Sequence, residues 1–555
     1  MLLFQDILDL IRAEARKHLN TLDERDVIFD QTEHAHITIR MIKYEKTVER
    51  FEEKLKMICD DIENLPFVAS LNYDRGYINI NVDGGYLLRA IRDSVETTGS
   101  FPDSFQDPER VSVEHTSTNP TGPIHMGRIR NSVIGDSISR LMKRYGYRVV
   151  TQYYVNDSGK QMVSLYLGYE KFHKGEKITK EILLDGYRKI YDYFEKQGTE
   201  GEVETLMERY ERGDHKLISE IKNIAQIMLD DIVGDLDLLD VKMDEYTFES
   251  EFIVTGETEK VVESLSDHIQ DEDGAKFIEI PNVRNIFIKR KNGTSLYLTR
   301  DIAYHMYKFS QYDKCIVVLG EDHKEHGKIM DYIMHNLLGY NNSLDFVFYG
   351  MVNLESGKMS TRKGTSVTVK EVYNKLNEKA REEVIKRYGQ GDDVDRVSRD
   401  IAVSSLRFYM LKINMGKPIT FRWEDALDFN GETAPFIMYS YTRAGSILEK
   451  VDEAGNSNEA GNIKVDGMEK EETSLILEMY KYPYKITDAV KSLRPDIITG
   501  YLLELSKKFT TFYETCKVMG EESGIQGRRV TILKNYMSIL EDASYIVGIK
   551  NVKKM

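Results

Sequence analysis

The sequence predicts a multidomain α/β plus all-α protein: a parallel-sheet core, a small α/β module ahead of it and a helical bundle behind it. Three observations predict this. "RVSVEHTS", "RIRNSVIGDSISRLMKRYG" and "YRVVTQYYVND" read as strand, helix and strand, a βαβ unit whose two strands run parallel. "HITIRM" and "GYININVD" alternate apolar and polar residues, as half-buried strands do. From about residue 385 to the end, helical periodicity dominates, as in "YSYTRAGSILEKVDEA" and "TILKNYMSILEDASYIVG".

Taken in order, residues 1–108 form the first module, opening on the amphipathic "FQDILDLIRAEARKHL" and ending in the linker "FPDSFQDP". The core spans 109–370. Its first strand ends in the turn "TNPTGP", and Gly146 ends the helix that follows. Residues 165–245, including "RKIYDYFEKQGTEGEVETLMERYERGD", are helical and acidic, and read as a solvated insertion without chemistry of its own. The sheet resumes with "RNIFIKRKNGTSLYLT", a hairpin around Asn292-Gly293, and with the apolar strands "KCIVVLG" and "LDFVFYGMVNL". Residues 371–425 read as a connecting helical segment and 426–555 as the helical bundle.

The bulk composition bounds the function. The chain has 555 residues, 41% hydrophobic and 30% charged, which is ordinary for a globular protein. No apolar run approaches the roughly 18 residues that span a bilayer. The opening stretch lacks a signal peptide's apolar core, so a cytoplasmic protein is expected. The three cysteines, Cys59, Cys315 and Cys516, form no CxxC pair, which argues against a zinc knuckle or disulfide framework. A net charge of −16 argues against general nucleic-acid affinity and requires any RNA contact to rest on local basic residues.

Chemistry concentrates in two stretches. In "HTSTNPTGPIHMGRIRNSVIGD", a Pro-Gly turn leads through Pro123 and His125 to Gly127 at the mouth of a helix. A Gly there admits close approach to the backbone, and the helix N-terminus presents free N–H groups and a positive dipole end that suit phosphate. Alone, the segment is equally well a core histidine in a βα turn. The second stretch, "SGKMSTRKGTS", sets Lys358, Arg362 and Lys363 among small residues. It reads either as a solvated basic loop or as a clamp for a polyphosphate.

Together the two stretches resemble a known pair. "PIHMG" resembles the HIGH signature of class I aminoacyl-tRNA synthetases, and "KMSTR" resembles their KMSKS signature. "STNPTGPIHMGRIRNSVIGDSISRLM", "YYVNDSGKQM", "GTSLYLTRDIAY", "VLGEDH" and "ALDFNGETAPFIMYSYTRAGSIL" resemble arginyl-tRNA synthetases in the family's own order, along essentially the whole chain. The resemblance implies a Rossmann-like catalytic core, an N-terminal domain that contacts the tRNA elbow and a C-terminal anticodon-binding bundle. It implies that arginine is activated with ATP and Mg²⁺ to the adenylate and then passed to the 3′ end of tRNA(Arg), by a monomer that needs tRNA for the first step. One departure stands out. The family's second histidine is here Arg128, cationic like a protonated histidine but planar and permanently charged.

The resemblance also assigns site residues. His125, Arg128 and Lys358 carry catalysis. Pro123, Gly127, Gly320, His323, Met359 and Ser360 join them in binding ATP. Glu114 and Asp301 share the cationic substrate, with Asn119, Tyr297 and Asp322 beside them. Asn156, Lys160 and Gln161 match the family pattern with either a site role or an architectural one. In the bundle, Tyr439, Tyr441 and Arg443 are candidates for RNA stacking, while Trp423 and Phe429 read as packing residues. Residues one or two apart on a helix do not share a face, so only some of the first three can touch RNA. Another class I synthetase, a tRNA-binding paralogue without catalysis and a nucleotidyltransferase remain alternatives. The cysteines cannot make the zinc site that a cysteine enzyme needs.

Overall fold

The computed structural model describes residues 4–29, 35–98, 108–197, 200–281, 283, 285–354, 367–426, 428, 431–454 and 467–553. Lys358, Met359, Ser360, Arg362, Lys363, Phe429 and the side chain of Trp423 lie outside the described residues.

The first module is an antiparallel sheet of β1 (Val27–Phe29), β2 (Ile37–Arg40), β3 (Val68–Asp74) and β4 (Tyr77–Val82), in the order β1-β2-β4-β3. The alternation in the sequence has its physical counterpart. Ile37, Ile39, Ile78, Ile80 and Val82 point into a core shared with helices Phe4–His18 and Phe51–Glu63.

The catalytic core is a five-stranded, all-parallel sheet. Its strands are β5 (Arg110–Glu114), β6 (Arg148–Val155) and β7 (Glu245–Phe248), then β11 (Lys314–Gly320) and β12 (Ser343–Tyr349), in the order β12-β11-β5-β6-β7. The chain runs outward from β5 through β6 to β7 and restarts on its other side with β11. The switch point therefore lies between β5 and β11, where open α/β sheets bind ligands. Helix Met126–Tyr145 follows β5 and is buried over most of its surface; it stops at Gly146, whose left-handed φ of +114° lets its N–H reach the Met142 and Lys143 carbonyls. Asn131 on this helix accepts from Thr116 N at 2.5 Å and donates to the Val318 carbonyl at 2.9 Å, stitching β5 to β11 across the switch point.

Residues 160–238 form the insertion, helices Lys160–Phe172, Lys180–Gln197, Gly201–Glu211 and His215–Leu238. The first two cross at a pair of glycines. A Cβ on Gly168 would lie 2.5 Å from the Gly186 carbonyl oxygen, so only glycine permits this approach.

Two expectations fail. The hairpin at 284–299 has its turn, with Arg290 N donating to Thr294 O, but not its second arm. Strand β10 (Ile286–Lys289) instead pairs with β9 (Ala275–Ile278), beside β8 (Ile269–Glu272), and only Ser295 bridges back to Lys289. β10 is the edge strand of that sheet, yet the returning chain stays beside its open side no further than Leu296, which is already the N-cap of helix Tyr297–Gln311. "LDFVFYGMVNL" is two strands. The chain breaks at Gly350, and β13 (Val352–Leu354) pairs with β14 (Ile419–Phe421), so the 371–425 segment is not wholly helical.

Helices Ala434–Glu453, Lys470–Tyr480, Tyr482–Ser492, Asp496–Thr515 and Ser523–Val547 make the C-terminal bundle. One hydrophobic core runs unbroken from Ile7 to Val552, through β5 and β6. A smaller one lies under helix Tyr297–Gln311 and β12. Among the described residues, no helix is long and apolar enough to cross a membrane.

Candidate active site

The crevice opens where β5 and β11 end. Residues 124–126 leave the Pro-Gly turn extended, with Met126 N donating to Val367 O at 2.9 Å and Val369 N to Ile124 O at 3.0 Å. The described chain resumes at Val367, nine residues after Lys358, and there it is tied to the backbone around His125. His125 caps its helix in an extended conformation. Burial, reinforced by the Arg128 charge, pushes its pKa down to about 4, so the imidazole is neutral at pH 7. Its buried Nδ1 has no hydrogen-bond partner.

A cavity of about 440 Å³ adjoins it, lined by His125, Arg128, Pro123, Asn119, Gln161 and Arg188 among others. Asn119 Nδ2 donates to Gln161 Oε1 at 3.1 Å, joining the turn to the insertion's first helix. Leu184, Tyr187 and Arg188 of the insertion also form wall, which corrects the reading of 165–245 as a solvated face. The sequence gives no local sign of this, because it depends on the glycine crossing.

Two of the residues expected to hold arginine are buried acids with partners. Glu114 lies at the end of β5, 7% exposed, with Oε2 2.8 Å from the wholly buried Lys308 Nζ. Asp301 is 6% exposed, its Oδ2 2.5 Å from His326 Nε2 and its Oδ1 3.3 Å from His305 Nδ1. Burial would raise its pKa, but the two imidazoles win and hold the carboxyl well below the usual range. Burial also opposes charge on His326, and Asp301 overcomes that, raising the His326 pKa. Tyr297, one helical turn before Asp301, is half-exposed. Gly320 ends β11, and Asp322 and His323 sit in the short 3₁₀ turn after it with exposed side chains 3.7 Å apart. Asn156 follows β6, and Lys160 opens the insertion's first helix, where it ion-pairs with Glu200, an architectural contact.

Sequence reasoning missed Glu249. It follows β7 directly, is fully buried, and places Oε1 2.6 Å from Arg300 Nε. Its Oε2 has no hydrogen-bond partner. The hydroxyl of Tyr154, on the neighbouring β6, is also buried and unpartnered. Burial raises the Tyr154 pKa well above its ordinary value, with the Glu249 and Asp301 charges adding to the effect. A buried carboxylate oxygen and a buried hydroxyl without partners, close enough for the Glu249 charge to act on Tyr154, are unmet hydrogen-bonding groups. The only signal was position, a carboxylate at the C-terminal end of a parallel strand.

In the bundle, Tyr441 is buried and its hydroxyl binds Glu541, so it packs. The Arg443 guanidinium lies 4.2 Å from the Tyr439 ring and 4.9 Å from the Tyr513 ring, a stack at the surface.

A parallel sheet switching at β5/β11, a helix mouth armed with His125 and Arg128 and a helical C-terminal bundle define a class I aminoacyl-tRNA synthetase. The comparisons carry this further. Residues 97–423 match the family model described as tRNA synthetases class I (R), catalytic domain, and residues 437–555 match the DALR anticodon binding domain. The chain is 42% identical to the arginine–tRNA ligase of Thermoplasma acidophilum, aligned over 100% of both chains. It is 33% identical to that of Archaeoglobus fulgidus over 95% of this chain and 96% of that one. The solved Thermus thermophilus arginyl-tRNA synthetase shares its fold, with a TM-score of 0.82 at 22% identity over 99% of this chain and 100% of that one. The chain belongs to the arginyl-tRNA synthetase family, and it attaches arginine to tRNA at the expense of ATP.

Proposed function

We propose that Glu114, Glu249 and Asp301 bind the cationic substrate while His125 and Arg128 meet the phosphates of ATP. The observation that carries this is a separation of charge: three buried carboxylates at the ends of β5 and β7 and on helix Tyr297–Gln311, and a cavity at His125 whose lining side chains are neutral or cationic. A guanidinium offers five N–H donors in a fixed fork. The orphaned Glu249 Oε2 and the Tyr154 hydroxyl are acceptors in want of such donors. Glu114 and Asp301 add negative charge, and Asn119, Tyr297 and Asp322 orient the substrate. A site that hydrogen-bonds its substrate's fork rejects side chains lacking it, because its polar groups would be left unpaired.

The arginine carboxylate then attacks the α-phosphorus of ATP and pyrophosphate leaves. Next, a terminal ribose hydroxyl of tRNA(Arg) attacks the acyl carbonyl and AMP leaves. Both steps need positioning and charge more than covalent help. Neutral His125 donates a hydrogen bond, and Arg128 supplies the permanent charge. Pro123 and Gly127 shape the helix mouth, Gly320 and His323 border the nucleoside, and Lys358, Met359 and Ser360 are assigned to ATP by the likeness of their motif. The donors around the cavity include no carboxylate and do not suit a resident cation, so Mg²⁺ belongs to this reading only as part of the ATP substrate. Residues 1–108 and the bundle with its Arg443 stack hold the tRNA. Having both RNA-facing parts on one chain supports a monomer, working where tRNA is charged, in the cytoplasm.

The test is steady-state aminoacylation by Asp301→Asn and Glu249→Gln. Each raises the KM for arginine about 100-fold while the KM for ATP stays put, in line with charge-assisted contacts of about 2–3 kcal/mol. Equal change in both constants, or in neither, overturns the assignment.

A further inference from the structure

The insertion's second helix carries an arginine into the phosphate cavity, and the fold fixes it there. Helix Lys180–Gln197 is held by the Gly168–Gly186 crossing, by Asp185 at 2.8 Å from His173 and by Lys180 at 2.5 Å from Asp231. Arg188 stands two residues beyond that crossing. Its Nε donates to the Leu184 carbonyl at 3.2 Å, which orients the guanidinium and leaves both terminal nitrogens for a ligand. The wall it joins holds His125 and Arg128, with Asn119, Gln161, Thr118 and Thr121 as neutral donors, and no carboxylate lines it. In a chain of net charge −16, an arginine beside a cavity would ordinarily find an acid. Among the described residues, no ion pair is formed by Arg188 or by Arg128. Two like charges facing one cavity repel unless an anion lies between them.

We propose that Arg188 binds a phosphate group in this cavity, which Arg128 also lines, as a further substrate-binding residue of the reaction. This rests on the reading that His125 and Arg128 face phosphate. The phosphate is either in the polyphosphate chain of ATP or in the terminal phosphodiester of tRNA. The chemistry is shared: a dispersed anion met by a forked donor on each side.

The experiment compares the full-length enzyme with Arg188→Ala, Arg188→Lys and Arg128→Ala. Two affinities are measured at fixed ionic strength: inorganic tripolyphosphate by calorimetry, and full-length tRNA by filter binding. Arg188 is exposed, so its variants should fold, and circular dichroism checks this. A loss of tenfold or more in tripolyphosphate affinity for Arg188→Ala, partly restored in Arg188→Lys, assigns the ATP chain. Unchanged tripolyphosphate affinity with a tenfold loss for tRNA, absent for tRNA lacking its two terminal nucleotides, assigns the acceptor end. Both affinities within twofold of wild type overturn the proposal. If Arg128→Ala then still weakens tripolyphosphate binding, only Arg188 is misassigned. If it does not, the phosphate reading of the cavity falls as well.

Discussion

The Arg130 guanidinium donates to the Gly350 carbonyl at 2.8 Å, and it spends all five N–H groups this way. Lys417 O at 2.5 Å, Ile413 O and Asn414 O at 3.2 Å and Met410 O at 3.3 Å accept the others. Arg130 is fully buried, and burial pulls its pKa down to about 10, so it stays charged at neutral pH. It binds the His125 helix to the loops from which β13 and β14 spring.

Arg130→Lys keeps the charge but has three donors for five carbonyls. Stability should fall by about 3–5 kcal/mol, because buried acceptors are left unsatisfied around a poorly matched charge. Urea unfolding monitored by fluorescence measures this, and an unchanged midpoint would refute it.

Arg128 stands where the family usually has histidine. Arg128→Ala should slow arginine activation about 100-fold, the scale of one lost donor to developing charge. Arg128→His should stay within about tenfold of wild type, since an imidazole still donates there. ATP–pyrophosphate exchange with tRNA present decides between them, and an alanine variant at the wild-type rate removes Arg128 from the chemistry.

Lys308 is the buried counter-charge of Glu114. Lys308→Met should cost about 3 kcal/mol or more in the free enzyme, the penalty of an uncompensated buried carboxylate. Saturating arginine should then raise the thermal midpoint of this variant more than that of the wild type, because substrate replaces the lost cation. Equal ligand shifts in the two proteins would mean that Glu114 does not face arginine.

Asp157 gives a pH dependence. It is buried, accepts from Ser250 N and Oγ, and burial raises its pKa to about 6. A folded pKa above the unfolded value favours the native state at low pH, and that contribution disappears as pH rises through 6. Asp157→Asn cannot lose it. The variant's thermal midpoint relative to wild type should therefore climb between pH 4.5 and 7.5, where differential scanning fluorimetry at closely spaced pH values follows it.

Local rules made much of the fold legible. Gly146 ends its helix because the position needs a left-handed φ, and β2 and β4 alternate because one face is buried. The failures were non-local. β10 reads as half a hairpin until β9, eight residues upstream, pairs with it and the chain beyond Leu296 turns into a helix instead of a second arm. Two of the carboxylates proposed to hold arginine, Glu114 and Asp301, sit in motifs that signal themselves. Glu249 does not, for β7 is the edge strand and only the fold sets its end against Arg300, next to Asp301. Arg188 is invisible for the same reason: its meaning depends on two glycines eighteen residues apart meeting across helices.

The unbroken core has a consequence for how this enzyme comes apart. Helix Gly84–Thr98 packs on helix Lys470–Tyr480, with Met468 and Thr473 against Gly84, and Lys481 sits 4.6 Å over the Phe29 ring. The two ends of the chain therefore stabilise each other directly. Cutting away the first hundred residues would strip the cover from apolar surface of the bundle, leaving a sticky stump in place of a trimmed catalyst. Heating should melt both ends in one cooperative step, so neither could be lost in evolution without refashioning the other.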